Sequence, residues 1–169
     1  MSNYYTQTLY VPLVDEQGNV IGKGERWDVH KRGILHKGFT VRLLYKNLVL
    51  LQKRKHPMFD HVIDMTSSSH PLVTDDGVQD EQDAVISCLK REWNLELRDR
   101  KKIVKRESFL YKASDSVGFT EHEYCTMYDV KLLTVPAPDF AYCYGYELVE
   151  LDYVTSHHNA FNLAPWVRL

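Results

Sequence analysis

At 169 residues, with 44% hydrophobic and 26% charged side chains, the chain has the length and balance of one ordinary globular domain with a substantial core. A net charge of −2 gives no basic surplus for nucleic acid, and no apolar run approaches the roughly 20 residues that span a bilayer. Three widely spaced cysteines, Cys88, Cys125 and Cys143, point to reduced thiols in the cytoplasm, and Met1 to Thr6 lacks the basic-then-apolar pattern of a secretory signal.

Leu9 to Leu13 reads as a first strand, and Asp15 to Asn19 as a turn into a second extended run from Val20. His30 and His36 flank a loop centred on Gly33, an interval that lets two imidazoles reach one ion and equally suits ordinary surface histidines. Phe39–Tyr45 and Leu48–Arg54, joined by Lys46-Asn47, predict a β-hairpin. Its second arm runs into Lys53, Arg54 and Lys55, which read either as a solvated strand end or as a clamp for phosphate oxygens.

Asp64-Met65-Thr66-Ser67-Ser68-Ser69-His70-Pro71 packs three serines against a histidine and a proline. It is expected to be a turn, either an ordinary polar one or one whose accessible N–H groups hold an anion or a metal-bound ligand. Leu72 to Glu81 reads as an acidic loop. A helix is expected over Asp83–Trp93, with Ile86, Leu89 and Trp93 on one face and Asn94 ending it in a left-handed conformation. Glu92 lies near its C-terminus, where the helix dipole disfavours a carboxylate unless a cation is near.

Ser108–Ala113 predicts a strand and Ser114–Gly118 a turn. Phe119–Val130 then alternates with period two, so Glu121 and Glu123 share a face with Cys125 and Met127. Two carboxylates on one face repel unless a cation or a proton intervenes. Val135–Asp139 reads as a linker-like loop, Glu147–Leu151 as a last strand and Asp152–Asn159 as a short helix. The chain closes on Asn162-Leu163-Ala164-Pro165-Trp166.

Taken together, Val14–Gly22, His30 through Leu35-His36, the Ser-His-Pro-Leu turn, Asp83-Ala84-Val85-Ile86, Glu121-His122-Glu123 and Ala164-Pro165-Trp166 are similar, in order, to the type I isopentenyl-diphosphate isomerases, a branch of the Nudix superfamily. The resemblance spans roughly residues 9 to 169. It implies a single domain, a Nudix-type α/β/α sandwich on a mixed sheet, acting as monomer or homodimer on a small-molecule diphosphate.

It further implies that His30, His36, His70, Glu121 and Glu123 hold a divalent ion, Zn²⁺, Mn²⁺ or Mg²⁺. Glu92 would hold a second Mg²⁺ with the substrate diphosphate, and Arg54 and Arg26 would bind phosphate. Tyr111 would sit beside the reacting carbons, Glu123 would move a proton, and Trp166 would face a carbocation. Three departures stand out. Ser68 occupies the place of the family's catalytic cysteine and is a far weaker acid than a thiol of pKa ~8.5. Cys88 occupies the place of a phosphate-contacting arginine, and the loop after Arg54 is about two residues shorter. Of the hydrolase box of the wider superfamily, Ser87-Cys88-Leu89-Lys90-Arg91-Glu92 keeps one glutamate, which makes a Nudix hydrolase the alternative and a non-catalytic diphosphate-binding relative the third reading.

Overall fold

A computed structural model describes residues 3–167. From the N-terminus a short 3₁₀ turn (Asn3–Thr6) leads to β1 (Tyr10–Val14), β2 (Val20–Glu25), α1 (Arg26–Arg32), β3 (His36–Tyr45) and β4 (Leu48–Arg54). Next come β5 (Ile63–Asp64), β6 (Ser67–Ser69), β7 (Val73–Thr74), β8 (Gly77–Val78) and α2 (Glu81–Trp93). The chain ends with β9 (Ile103–Ser114), β10 (Thr120–Lys131), β11 (Cys143–Glu150) and α3 (Leu151–Ser156). The sheet is mixed: β10 lies antiparallel to β9 and parallel to β3, while β4 lies antiparallel to β11.

The expected hairpin forms but does not stay zipped. β3 and β4 pair only at Leu44↔Val49 and Tyr45↔Leu48, next to the turn. Beyond that the arms part, and the serine-rich stretch enters between them, β6 pairing with β3 (Thr40↔Ser68) and β5 with β4 (Gln52↔Asp64). The expected turn is therefore two short strands that repair the split sheet. Thr66, between them, adopts a φ of 97°, costly for a β-branched residue. Its hydroxyl donates to Leu50 O at 2.6 Å and accepts from Leu43 N at 3.0 Å, satisfying the two arms where their ladder breaks.

α2 begins two residues before the expected Asp83, because Asp80 caps it by accepting from the N–H groups of Gln82 and Asp83. Asn94 ends it at φ 50°. Its buried face, Ala84, Val85, Cys88, Leu89 and Trp93, packs on Phe39, Val41, Leu43, Leu50, Tyr128 and Val130 of the sheet. Side chains of this size, fully buried, contribute about 1.5–3 kcal/mol each. On the opposite face Val49, Leu51 and Met65 pack with Val154 of α3, and Met58, Phe59, Ala164 and Trp166 close a further cluster. The sheet thus lies between α2 and α3.

Other boundaries differ from expectation as well, β9 beginning at Ile103 and not at Ser108. The segment before Gly33 is helix α1, capped by the Glu25 carboxylate on Asp28 N and ended by Gly33 at φ 61°. At two turns it is too short for an apolar period to announce it. Within the acidic loop β7 and β8 form a small hairpin. The last strand begins four residues early, and α3 stops at Ser156, followed by a 3₁₀ turn over His158–Ala160.

Candidate metal centre and anion cleft

Three elements bring the imidazoles together: His30 from the last turn of α1, His36 from the start of β3, and His70 just after β6. The parallel register sets Glu123 of β10 against His36, and the strand's alternation puts Glu121 on the same face. One ligand atom each from His30, His36, His70 and Glu121 lies within 4.8 Å of the others. Glu123 stands at the margin of that group, its Oε1 2.9 Å from His70 Nε2 and 3.7 Å from His36 Nε2. Gly38 makes room for it, because a Cβ at that position would fall 2.3 Å from the Glu123 carboxyl.

The tautomers suit a metal. His30 Nδ1 donates to Arg26 O at 2.6 Å and His36 Nδ1 to Ile34 O at 2.8 Å, which leaves each Nε2 as a lone pair aimed inward. His30 Nε2 and Glu121 Oε2 are buried 3.2 Å apart, yet neither has a hydrogen-bond partner among the described residues. His36 Nε2 and His70 Nε2 are 3.2 Å apart, a close approach of two ring nitrogens that a shared cation would accommodate. The donor set therefore fits a divalent ion.

The charges are divided to match. Burial, with the neighbouring imidazoles, holds His70 well below its ordinary pKa, and burial lowers His36 as well. Burial would also depress His30, but Glu121 beside it more than offsets this. For Glu121, burial favours the acid form and the surrounding imidazoles outweigh it, so the carboxylate stays ionised. Burial and the charge of Glu121 push the Glu123 carboxyl well above its usual range.

A cleft opens from this cluster. Tyr111 O–H donates to Glu123 Oε2 at 2.8 Å, paired across β9 and β10. Ser68 faces the cleft and donates to Thr40 Oγ1 at 3.0 Å. Arg54 and Trp166 meet over Asp64: Arg54 Nη1 and Trp166 Nε1 each donate to a different Asp64 oxygen at 3.1 Å, and the Arg54 guanidinium lies 4.9 Å from the Trp166 ring centre. Arg26 is buried on α1, and Glu92, on α2, receives Arg91 at 2.9 Å. Of the eleven residues expected at the site, all but His36 line this one cleft, and His36 Nε2 lies 3.6 Å from the cleft-lining Glu121 carboxylate.

Asp64, Arg91, Tyr4, Tyr5 and His56 were not anticipated. Tyr5 is buried edge-on against His56 and Tyr142, and the main-chain carbonyls of Tyr4 and Tyr5 accept from Arg26 and Trp27, so the N-terminal turn is roofed over the cleft. The acidic residue in the serine-rich stretch and the arginine beside Glu92 were visible as a signal. The tyrosines carried none, since nothing local ties them to residues over 20 positions away.

No family model matches the chain. It is 30% identical over 162 residues to the isopentenyl-diphosphate Delta-isomerase of Agromyces mediolanus, covering 92% of this chain and 73% of that protein. It is 33% identical over 123 residues to the enzyme of the same name from Aliivibrio fischeri strain MJ11, covering 69% of this chain and only 65% of that one. Among solved structures the fold is similar to DR0079 from Deinococcus radiodurans, with a TM-score of 0.63, 15% identity and coverage of 92% and 91%. It is also similar to a MutT NUDIX hydrolase from Burkholderia pseudomallei, with a TM-score of 0.50, 16% identity and coverage of 70% and 84%. The mixed sheet with its few helices is thus a Nudix-type fold.

Proposed function

The chain belongs to the isopentenyl-diphosphate Delta-isomerase family, and from that premise we propose that it isomerises isopentenyl diphosphate to dimethylallyl diphosphate with the help of a divalent metal. The observation that carries this reading is the Tyr111–Glu123 pair set beside the His30, His36, His70 and Glu121 cluster in one cleft with Trp166. Moving the double bond requires a proton delivered to one carbon and another removed two carbons away, through a tertiary carbocation. Glu123, buried and oriented by the Tyr111 hydroxyl, is the group that handles one of those protons.

His30, His36, His70, Glu121 and Glu123 would hold Zn²⁺, Mn²⁺ or Mg²⁺, and Glu92 would hold Mg²⁺ together with the diphosphate. When bound, the first ion supplies positive charge that sets the acidity of the carboxyl beside it. Arg54 and Arg26 orient the diphosphate, whose binding keeps the prenyl end against Trp166 and Tyr111. Bound there, the prenyl end would lie among the Trp166 and Tyr111 side chains, and keeping water from it would protect an intermediate cation from capture.

Ser68 favours a second reading. Its hydroxyl is a poor acid and is engaged with Thr40, which suits a diphosphate-binding relative or a diphosphate hydrolase better than a fast isomerase. Incubating metal-loaded protein with isopentenyl diphosphate in D₂O separates these. Deuterium in the allyl group supports isomerisation. Phosphate release without deuterium supports hydrolysis, and neither, with diphosphate bound, supports a binding protein.

A further inference from the structure

The roof of the cleft carries more positive charge than Arg26 and Arg54 account for. Arg91, on α2, points back toward the N-terminal turn, its guanidinium carbon 3.9 Å from the centre of the Tyr4 ring. Arg26 uses the same ring at 4.8 Å and that of Trp27 at 4.5 Å. Arg26, Arg54 and Arg91 each have a buried Nε–H with no hydrogen-bond partner among the described residues, and all three line the cleft. A buried donor left unmatched is costly, so three of them around one opening call for a ligand rich in acceptors.

The charge balance agrees. Asp64 answers Arg54 at 3.1 Å and Glu92 answers Arg91 at 2.9 Å, while Arg26, only 4% exposed, forms no ion pair among the described residues. Cys88, one helical turn before Arg91, directs its thiol to the same Glu92 Oε1 at 3.5 Å. Arg91 and Cys88 thus meet the same carboxylate oxygen, which sets the Arg91 guanidinium beside the Cys88 thiol. Arg91 Nη2 also lies 3.4 Å from Ser69 Oγ, next to His70, so it is aimed along the cleft and not out to solvent.

We propose that Arg91, held against Tyr4, forms with Arg26 a pair of arms that bind the two ends of a diphosphate and select it over a single phosphate group. The assignment deepens the diphosphate reading above and rests on it. Two guanidinium groups stacked on a shared ring are fixed in direction, and fixed forks suit oxygens spread over two phosphorus centres better than over one.

Calorimetric titration with methylenediphosphonate, which cannot be hydrolysed, and with inorganic phosphate tests it. Arg91→Ala should weaken the diphosphonate by roughly tenfold or more, the worth of one charged hydrogen-bond pair, and phosphate by less than about threefold. Arg91→Lys should recover part of the difference, since it keeps charge but not the planar fork. Tyr4→Ala should reproduce the Arg91→Ala loss without touching either arginine, and metal content should stay unchanged in all three. Unchanged diphosphonate affinity in a folded Arg91→Ala, an equal loss for both anions, or no effect of Tyr4→Ala overturns the pair of arms while leaving the diphosphate site intact. A wild-type protein that binds neither anion overturns the diphosphate reading as well.

Discussion

Ser68 and Trp166 carry most of the chemical question. Ser68 sits on β6, paired with Thr40 of β3, so a side chain there faces the cleft from a fixed strand and not from a mobile turn. A thiol in its place meets Thr40 and the cleft in the same direction. Ser68→Cys is expected to raise turnover, or to create it, with a rate that changes through the thiol's titration near ~8.5. A folded variant with no gain between about pH 6 and 9 counts against an isomerase pocket. Trp166 has a second tie. Its indole N–H donates to Asp64 and its ring carries the Arg54 guanidinium, so the indole helps to place Arg54, the arginine proposed to bind phosphate, as well as lining the cleft. Trp166→Leu should therefore lower turnover at least roughly thirtyfold, about 2 kcal/mol of cation–π attraction, and also weaken diphosphate binding. Trp166→Phe keeps a ring face and should lose less of both. Equal values of kcat for the Leu and Phe variants would remove the carbocation role.

At the scale of elements, α2 is anchored at its first residue. Glu81 accepts from Tyr128 of β10 at 2.6 Å and pairs with Lys37 of β3 at 2.7 Å, so one carboxylate joins the helix to two strands. Burial would raise its pKa, but Lys37 and Tyr128 outweigh this and lower it. The folded form thus releases the proton more readily than the unfolded chain. Its contribution is present at neutral pH and is lost as pH falls below the ordinary glutamate value of about 4.3 toward the lowered folded one. Glu81→Gln should flatten the acid limb of stability in that window while leaving the slope above about pH 6 unchanged. Denaturant unfolding at pH 3.5, 5 and 7 checks it, and parallel acid limbs in the two proteins would exclude Glu81 as a source. The split hairpin belongs to the same scale. Thr66 satisfies both parting arms, and without that wedge neither Ser68 nor His70 would reach the cleft.

Over the whole molecule the His30, His36, His70 and Glu121 cluster joins α1, β3, β10 and the residue after β6, so an ion bound there would tie together parts of the chain as far apart as residues 30 and 121. Binding to the folded state alone stabilises it by about 2.7 kcal/mol at a hundredfold excess over Kd, or about 5–10 °C in Tm for a domain of this size. Zn²⁺ or Mn²⁺ should raise Tm by that amount, a chelator should reverse it, and His70→Ala should reduce both the shift and the metal retained on dialysis. Equal metal content in the His70→Ala protein by elemental analysis would show that no such site exists. Short-range physics made part of this architecture legible in the chain itself. Period-two alternation put Glu121 and Glu123 on one face, apolar spacing and Asn94 marked α2, and the polar pair Lys46-Asn47 marked the hairpin turn. Those patterns act over a few residues; α1 and the short strands β5 to β8 were not legible from them, and the list of candidate site residues came from the family resemblance. What tertiary structure alone decided are contacts between distant residues: the parallel pairing of Glu123 with His36, the wedge of Ser67–Ser69 between parting strands, the Arg54–Asp64–Trp166 bridge and the Tyr4 roof on Arg91. Each depends on which strand edges remain unsatisfied and which buried charges need partners, and those demands exist only once the sheet has closed.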